Sequence, residues 1–500
     1  MKRNRCPVNV AAVLLNPNLE AHPDKPAYIC DAETVSYRDL AAGAYRFASL
    51  LLDQGIRKGD RILIVVLDSP VFVAAVLGAT LIGAVPVPVS TALSGELYDY
   101  ICTDCAARLI LVSQSLASTA GLALARTPGI RCGEHLREAF PNIPATPVPT
   151  EQVHYDDLAY MLYTSGSTGI PKGVPHRHAD LVAAAENYAV RVLGMRESDT
   201  VLSASKLYFA YGLGNSLAFP MYVGATAVLH SGSPLPARLL SLMEQRRPTL
   251  FFAVPTIYAQ IIRTVSQEHL TLPMRLCISA GELLPTAVFQ EWHRLTGLAV
   301  LDGLGSTETG HIVLSNRPGE TLAGSAGLPV PGYEIRLVDD GGAVVPSGVT
   351  GNLLVRGPSI APFYWNQPEK TAATMLSDGF IRTGDLMVER DGHYFHQGRN
   401  DDMLKVGGQW VSPVQVEEVL RGHPAVADCA VAVCHVGALE YPAAHLILRQ
   451  GYSSSPPMEK ELRAFAAVRL PDYMHPLLYQ FVDDLPRTPT GKVQRFKLSR

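Results

Sequence analysis

The sequence predicts a multidomain protein of mixed α/β and α+β class. A large N-terminal domain of two βα sheets and a small β-barrel is followed by a small α+β C-terminal domain. Three observations carry this. The 500 residues exceed what one hydrophobic core usually serves. Short apolar runs alternate with helical patterns through the first half, as in βαβ units. From Gly327 to Gly357 that alternation gives way to strands joined by glycine and proline turns.

Tyr37–Gln54 (YRDLAAGAYRFASLLLDQ) spaces its apolar residues as a helix does and closes at Gly55. Asp60–Leu67 (DRILIVVL) reads as a strand buried on both faces, and Val71–Leu81 as a helix. Ala84–Val89, Leu109–Val112 and Ala225–Leu229 are the next strand-like runs. Glu334–Val338 (EIRLV) and Asn352–Arg356 (NLLVR) are expected barrel strands. Beyond about Gly398 a compact unit begins, with Val414–Leu420 helical, Val426–Val433 extended and Glu459–Arg469 helical.

Composition excludes several classes. Hydrophobic residues make up 47% and charged residues 18%, which is globular rather than disordered or coiled-coil. The net charge of −4 argues against wholesale nucleic-acid binding. Among eight cysteines only Cys102 and Cys105 form a CxxC, and no second pair or histidine cluster completes a zinc site. Reduced thiols in a cytoplasmic protein are expected. Met1–Pro7 is basic but lacks the apolar stretch of a secretory signal. The most apolar segment, Val71–Val85, is shorter than a bilayer span and runs into Pro86 and Pro88, so no membrane partner is expected.

The densest chemical signal is Tyr163–Val174 (YTSGSTGIPKGV). Gly166, Gly169 and Gly173 allow tight turns that aim backbone amides at an anion. Thr164, Ser165, Ser167 and Thr168 add hydroxyl donors, and Lys172 adds a mobile positive charge. It is not a Walker A loop, because no Gly-Lys-Ser/Thr closes it. Alone, the run is either a phosphate loop or a serine- and glycine-rich surface turn.

This loop resembles the signature of the adenylate-forming superfamily, which includes acyl- and aryl-CoA synthetases, carrier-protein adenylation domains and luciferases. Asp302–Glu308 (DGLGSTE), Arg382–Asp385 (RTGD), Gly398–Gly408 (GRNDDMLKVGG) and Pro489–Lys492 (PTGK) resemble its further signatures, in the family order. Lys206–Ser216 (KLYFAYGLGNS), Gly310–Asn316 (GHIVLSN) and Val8–Leu19 (VNVAAVLLNPNL) resemble the benzoate-CoA ligase branch.

The resemblance implies an ATP-dependent ligase that activates an aromatic carboxylate as aryl-AMP. The aryl group then passes to the thiol of CoA, with AMP and pyrophosphate released. ATP, Mg2+ and CoA are the implied cofactors and co-substrates. Thr164, Ser165, Gly166, Ser167, Thr168, Gly169 and Lys172 would hold the phosphates. Gly281, Glu282, Asp302, Gly303, Leu304, Ser306 and Thr307 would line the nucleotide, with Asp385 and Arg399 at the ribose. Glu308 would hold magnesium, and Lys492 would act in adenylation together with Thr164 and Glu308.

Phe209, Ala210, Tyr211, Gly212, Ser279, Ala280, Gly305, His311 and Ile312 would line a short, flat aryl pocket, with His311 at the substrate carboxylate. Asp401 would be a hinge between a 1–400 body and a mobile 401–500 lid, and Lys405, Gly407 and Gly408 would serve thioester formation. Thr309 and Gly310 are small, offering space or a hydroxyl near the ring. Benzoate and 2-aminobenzoate are therefore close competitors, with 2-hydroxybenzoate behind.

One segment departs from the branch. Tyr473-Met474-His475-Pro476-Leu477 stands where benzoate-CoA ligases commonly carry Tyr-Lys-Tyr-Pro-Arg, so two positive charges are missing. Their loss implies weaker CoA binding, or a pantetheinylated acyl carrier protein as the acceptor, unless Arg469 or Arg495 compensates; free CoA remains the first choice. A monomer or homodimer is expected.

Overall fold

The computed structural model describes residues 9–499 except 32, 141–142, 155, 166–169, 266–268, 401–402, 407–408, 437–438 and 488–492. Its centre is a nine-stranded sheet. Parallel strands run through Pro26–Cys30, Thr226–Leu229, Thr200–Ser203, Leu250–Ala253, Leu276–Ser279 and Val300–Gly305. Antiparallel strands finish both edges: Glu33–Ser36 on one side, Ile312–Ser315 and Leu328–Pro329 on the other. Leu250–Ala253 is buried throughout, as expected where helices cover both faces of a parallel sheet.

A second, all-parallel sheet has the order Val85–Pro88, Arg61–Val65, Leu109–Ser113, Gly129–Cys132. Pro86 and Pro88 fall on its edge strand, where a missing amide donor costs little. The apolar run read as a helix is helix Pro70–Leu81, every residue of it buried. It packs on helix Tyr37–Asp53, whose Ser36 cap accepts the Asp39 amide. The two approach so closely that a Cβ on Gly78 would lie 2.5 Å from the Ala44 carbonyl oxygen. Only glycine fits there.

The segment read as a small barrel is a four-stranded antiparallel meander, Glu334–Val338, Thr350–Arg356, Ile381–Arg390 and His393–Arg399, joined to Gly327 by a bridge at Tyr394. Beyond it, helix Pro413–Arg421, strands Val426–Val436, Leu439–Leu448 and Leu478–Phe481, and helix Pro456–Ala467 follow. Their apolar cluster, from Leu404 to Tyr479, contains none of the described residues of the larger body. Among the described residues, the cysteines are buried and unpaired, no helix is long and apolar enough to cross a membrane, and no cluster of three or more His, Cys, Asp or Glu could hold a metal.

Asp199 ties three parallel strands together at their amino ends. Its carboxylate accepts from Arg275 (2.9 and 2.7 Å), from the Thr249 hydroxyl (2.7 Å) and from the Arg196 amide (2.9 Å). Burial alone would raise its pKa, but these donors outweigh it and hold the carboxyl below the usual value. Its stabilising effect is complete above an unfolded-state pKa of about 3.9 and is lost as pH falls through the lower native value. Asp199→Ala should cost about 3 kcal/mol, the lower end for breaking a buried pair, because Arg275 keeps some solvent. Denaturant titration checks this; a loss below about 1 kcal/mol, the range of exposed pairs, would contradict it.

Candidate active site

Two of the segments singled out in the sequence, those beginning at Lys206 and at Asp302, follow or end parallel strands at their carboxyl ends, where crevices in α/β sheets form. Ser279 ends one strand and pairs across to Asp302 on the next. The turn carrying Tyr208–Gly212 follows strand Thr200–Ser203. The phosphate loop is the tip of an antiparallel hairpin, Leu158–Ser165 with Pro171–Arg177, which sets Thr164 opposite Lys172. Gly166, Ser167, Thr168 and Gly169 lie outside the described residues, and only the backbone of Ser165 is described. The hairpin stem is held firmly. The Tyr163 hydroxyl donates to Asp104 (2.5 Å), and Trp365 donates its indole N–H to the Asp104 carbonyl (3.0 Å).

Glu308 sits in the turn between strands Val300–Gly305 and Ile312–Ser315. Three successive carbonyls of that turn are fixed by different parts of the chain. Thr307 accepts from His176 Nε2 (2.7 Å), Glu308 from the Ala361 amide (2.8 Å) and Thr309 from the Ser359 hydroxyl (2.6 Å). The Glu308 carboxylate meets Lys172 Nζ at 2.8 Å and accepts the Tyr364 hydroxyl at 2.8 Å. Burial would raise its pKa, but the Lys172 ammonium, aided by Tyr364, overrides that and holds the carboxyl at about 2. It is therefore an anion at working pH. Magnesium commonly takes one or two carboxylates and completes its shell with phosphates and water. A single ionised carboxylate beside a phosphate hairpin fits that donor set.

Asp385 and Arg399 face each other across the meander. Arg399 Nη1 donates to Asp385 Oδ1 at 3.1 Å, and His396 Nε2 reaches the same oxygen at 3.3 Å. Burial opposes ionisation of Asp385, yet His396 and then Arg399 bring its pKa below the usual value. Gly384 has φ +79°, and a Cβ there would lie 2.8 Å from the Arg399 guanidinium. The turn thus presents the carboxylate only because residue 384 has no side chain. Asp302, by contrast, is pushed up to about 8 by burial. Its Oδ1 lacks a hydrogen-bond partner among the described residues, a feature suited to a ligand donor. Nearby, Gly281 has φ +92° and Glu282 accepts the Thr256 hydroxyl at 2.6 Å.

The expected aryl wall is partly assembled. Phe209 caps a short helical turn, Ala210–Leu213, which carries Tyr211 and Gly212. Tyr211 donates to the Ile278 carbonyl at 3.3 Å, packs edge-on against Phe252 and lies 5.6 Å, centroid to centroid, from His311. Ala280 and Ile312 are buried, and Ile312 pairs with Gly305. Asp68 fastens the approach to this wall, accepting the Leu207 amide at 3.3 and 3.2 Å, while Lys206 Nζ donates to the His230 carbonyl at 2.6 Å.

Two expectations change in kind. His311 is enclosed by Tyr188, Tyr211 and Phe219, and its Nε2 meets Asn215 Oδ1 at 3.1 Å. Burial depresses its pKa to about 3, so it is a neutral group and not a cationic partner for a carboxylate. The Thr309 hydroxyl is taken by backbone: it accepts the Ser306 amide (2.8 Å) and donates to the His311 carbonyl (2.7 Å). It is buried and spent within the turn, so it offers no hydroxyl to a ring substituent.

Lys405 lies in the short strand Leu404–Val406, with only its backbone described, and Asp401, Gly407, Gly408 and Lys492 lie outside the described residues. Arg495 is committed to Glu417 at 2.8 Å. Arg463, not Arg495, borders the departing segment, donating to the carbonyls of Pro476 and Leu477 at 3.2 and 2.9 Å. Sequence reasoning missed His176, Asn215, Tyr364 and His396 as members of the site's hydrogen-bond network. Tyr364 is 56 residues from Glu308, and no spacing rule joins them.

These features set an ionised Glu308 beside Lys172 of the hairpin and an ionised Asp385 beside Arg399 of the meander, in the signatures of an adenylate-forming enzyme. The chain belongs to the AMP-binding enzyme family, which matches residues 15–365, with the AMP-binding enzyme C-terminal domain matching 415–492. Within that family it is similar to the benzoate–CoA ligase of Thauera aromatica, 42% identical over 98% of this chain and 95% of that protein. Its fold is similar to a benzoate CoA ligase from Burkholderia xenovorans LB400, at 41% identity and TM-score 0.91 over 98% and 99% of the two chains. An anthranilate CoA ligase solved with anthranoyl-AMP matches at 37% identity and TM-score 0.92, over 98% and 96%.

Proposed function

We propose that this chain is an AMP-forming aryl-CoA ligase. It joins an aromatic carboxylate to AMP, expelling pyrophosphate, and then passes the aryl group to the thiol of CoA, releasing AMP. The single observation that carries this reading is the turn Ser306–His311, which pairs Glu308 with Lys172 of the hairpin at 2.8 Å and, at its other end, sets His311 5.6 Å from the Tyr211 ring. In this reading the nucleotide phosphates lie at the Glu308 end and the aromatic ring at the His311 end.

The first step brings two anions together, so fixed donors and positive charge are the main catalytic need. Lys172 and the loop amides serve the β- and γ-phosphates. Asp385 accepts from the ribose hydroxyls, and Arg399 steadies the same region. Magnesium, when bound at Glu308, supplies charge neutralisation at the phosphates. His311 contributes a neutral edge to the aryl site, so the charge for the carboxylate falls to Lys492.

Benzoate is the preferred substrate in this reading, ahead of 2-aminobenzoate, because the Thr309 hydroxyl is occupied. Without a dedicated polar partner, one ring substituent changes selectivity by only about 1–3 kcal/mol. CoA is the acceptor. The buried thiols suit a reducing compartment such as the cytoplasm. ATP–pyrophosphate exchange across benzoates, fatty acids and amino acids tests the substrate class, followed by thioester detection with CoA and with a carrier protein. Exchange supported best by amino acids or long-chain acids would overturn it.

The division between a 1–400 body and a 401–500 lid rests on the separate apolar cluster that begins at Leu404. Rotation about Asp401 would bring Lys405, Gly407 and Gly408 to the site once adenylation is complete. Asp401→Pro should leave aryl-AMP formation intact and slow thioester formation. Single-turnover assays of each half-reaction check this, and equal loss in both would count against a hinge there.

A further inference from the structure

Tyr364 is absent from the nucleotide-binding motifs, yet it touches two of their charged residues. Its hydroxyl donates to Glu308 Oε1 at 2.8 Å, the oxygen that also receives Lys172 Nζ at 2.8 Å. The same ammonium lies 3.9 Å from the centroid of the Tyr364 ring. Tyrosine, lysine and carboxylate therefore form a closed triangle with its cation over an aromatic face. The tyrosine is 4% exposed. Its backbone amide donates to the Thr371 hydroxyl at 3.0 Å, and the next residue, Trp365, is tied to Asp104 and to the Gly173 carbonyl. It cannot easily swing away.

A lysine on a flexible stem can exchange one anion for another. When Lys172 turns to the phosphates, Glu308 loses a cation and needs a group that keeps its carboxylate aimed. The tyrosine hydroxyl supplies that hold, and the ring stays beside the ammonium. We propose that Tyr364 is a positioning residue for the metal–nucleotide site, orienting Glu308 through its hydroxyl and carrying Lys172 on its ring as phosphate replaces carboxylate. This rests on the reading of Glu308 as the magnesium carboxylate. Metal capture and phosphate capture are coupled through one side chain.

The test is calorimetric titration of ATP into the full-length protein at increasing magnesium, without aryl acid, for the wild type, Tyr364→Phe, Tyr364→Leu and Glu308→Gln. Tyr364→Phe keeps the ring and removes the hydroxyl. It should raise the half-saturating magnesium concentration about tenfold, the scale of one hydrogen bond to a charged group. Its metal-free ATP affinity and its KM for benzoate should stay unchanged. Tyr364→Leu should also weaken metal-free ATP binding, because the ring under Lys172 is gone. Wild-type magnesium dependence in Tyr364→Phe, with a shifted Glu308→Gln, would overturn the proposal alone. If Glu308→Gln were unshifted too, the magnesium reading would fail and take the proposal with it.

Discussion

Lys492→Ala should slow aryl-adenylate formation about 100-fold or more, the scale of losing one preorganised charge contact in a reacting site. The described part of the site explains why. Lys172 pairs with Glu308, Arg399 pairs with Asp385, and His311 is neutral. None of these cations is committed to the reacting carboxylate, whose negative charge must approach the α-phosphate. Lys492, the residue named by the family resemblance, would supply a compact charge on a long stem. ATP–pyrophosphate exchange reads the loss directly. Under the proposed lid rotation, thioester formation from supplied aryl-AMP should survive, because the second step would follow the departure of Lys492 from the site. An unchanged exchange rate would remove Lys492 from the mechanism.

Asp385→Ala should raise the KM for ATP about 100-fold. Two ribose hydroxyls donating to one ionised carboxylate are together worth enough, at about 1.5–3 kcal/mol for each bond to a charged group. The buried carboxylate is held ionised by His396 and Arg399, both at Oδ1, which leaves Oδ2 outside those two contacts. The KM for the aromatic acid should change little, since the ring packs against a different wall. Removing Asp385 also takes a partner from Arg399, so thermal unfolding must be followed in parallel. A variant that folds normally and keeps the wild-type KM for ATP would contradict the ribose assignment.

Much of the fold was legible because local physics and tertiary packing agree. Val71–Leu81 is apolar on every side, and the only place for such a helix in a chain of this kind is between two layers; helix Pro70–Leu81 lies there. Strand Glu334–Val338 was legible from its residues and its flanking turns. The expected extended run Val426–Val433 continues to Val436, because pairing with Leu439–Leu448 sustains it past the apolar stretch. The antiparallel strand Ile312–Ser315 beside the parallel sheet was not legible, since nothing in so short a run (IVLS) encodes strand direction.

The charged residues of the site were legible because the chemistry needs them at fixed places in recognisable motifs. Their supports were not. His176 reaches the Thr307 carbonyl across 131 residues, and Tyr364 reaches Glu308 across 56. Such pairs arise from the meeting of separate elements, and neither partner advertises the other. His311 was legible as a site residue but not as a neutral one, because its depressed pKa comes from burial among Tyr188, Tyr211 and Phe219.

The most direct measurement is a crystal structure with a non-hydrolysable benzoyl-AMP analogue. Its ribose should lie within hydrogen-bonding distance of Asp385, its phosphate mimic beside the Thr164–Lys172 hairpin, and its ring between Tyr211, Ala280 and Ile312. An analogue bound away from these residues, with no ribose hydroxyl on Asp385, would contradict it.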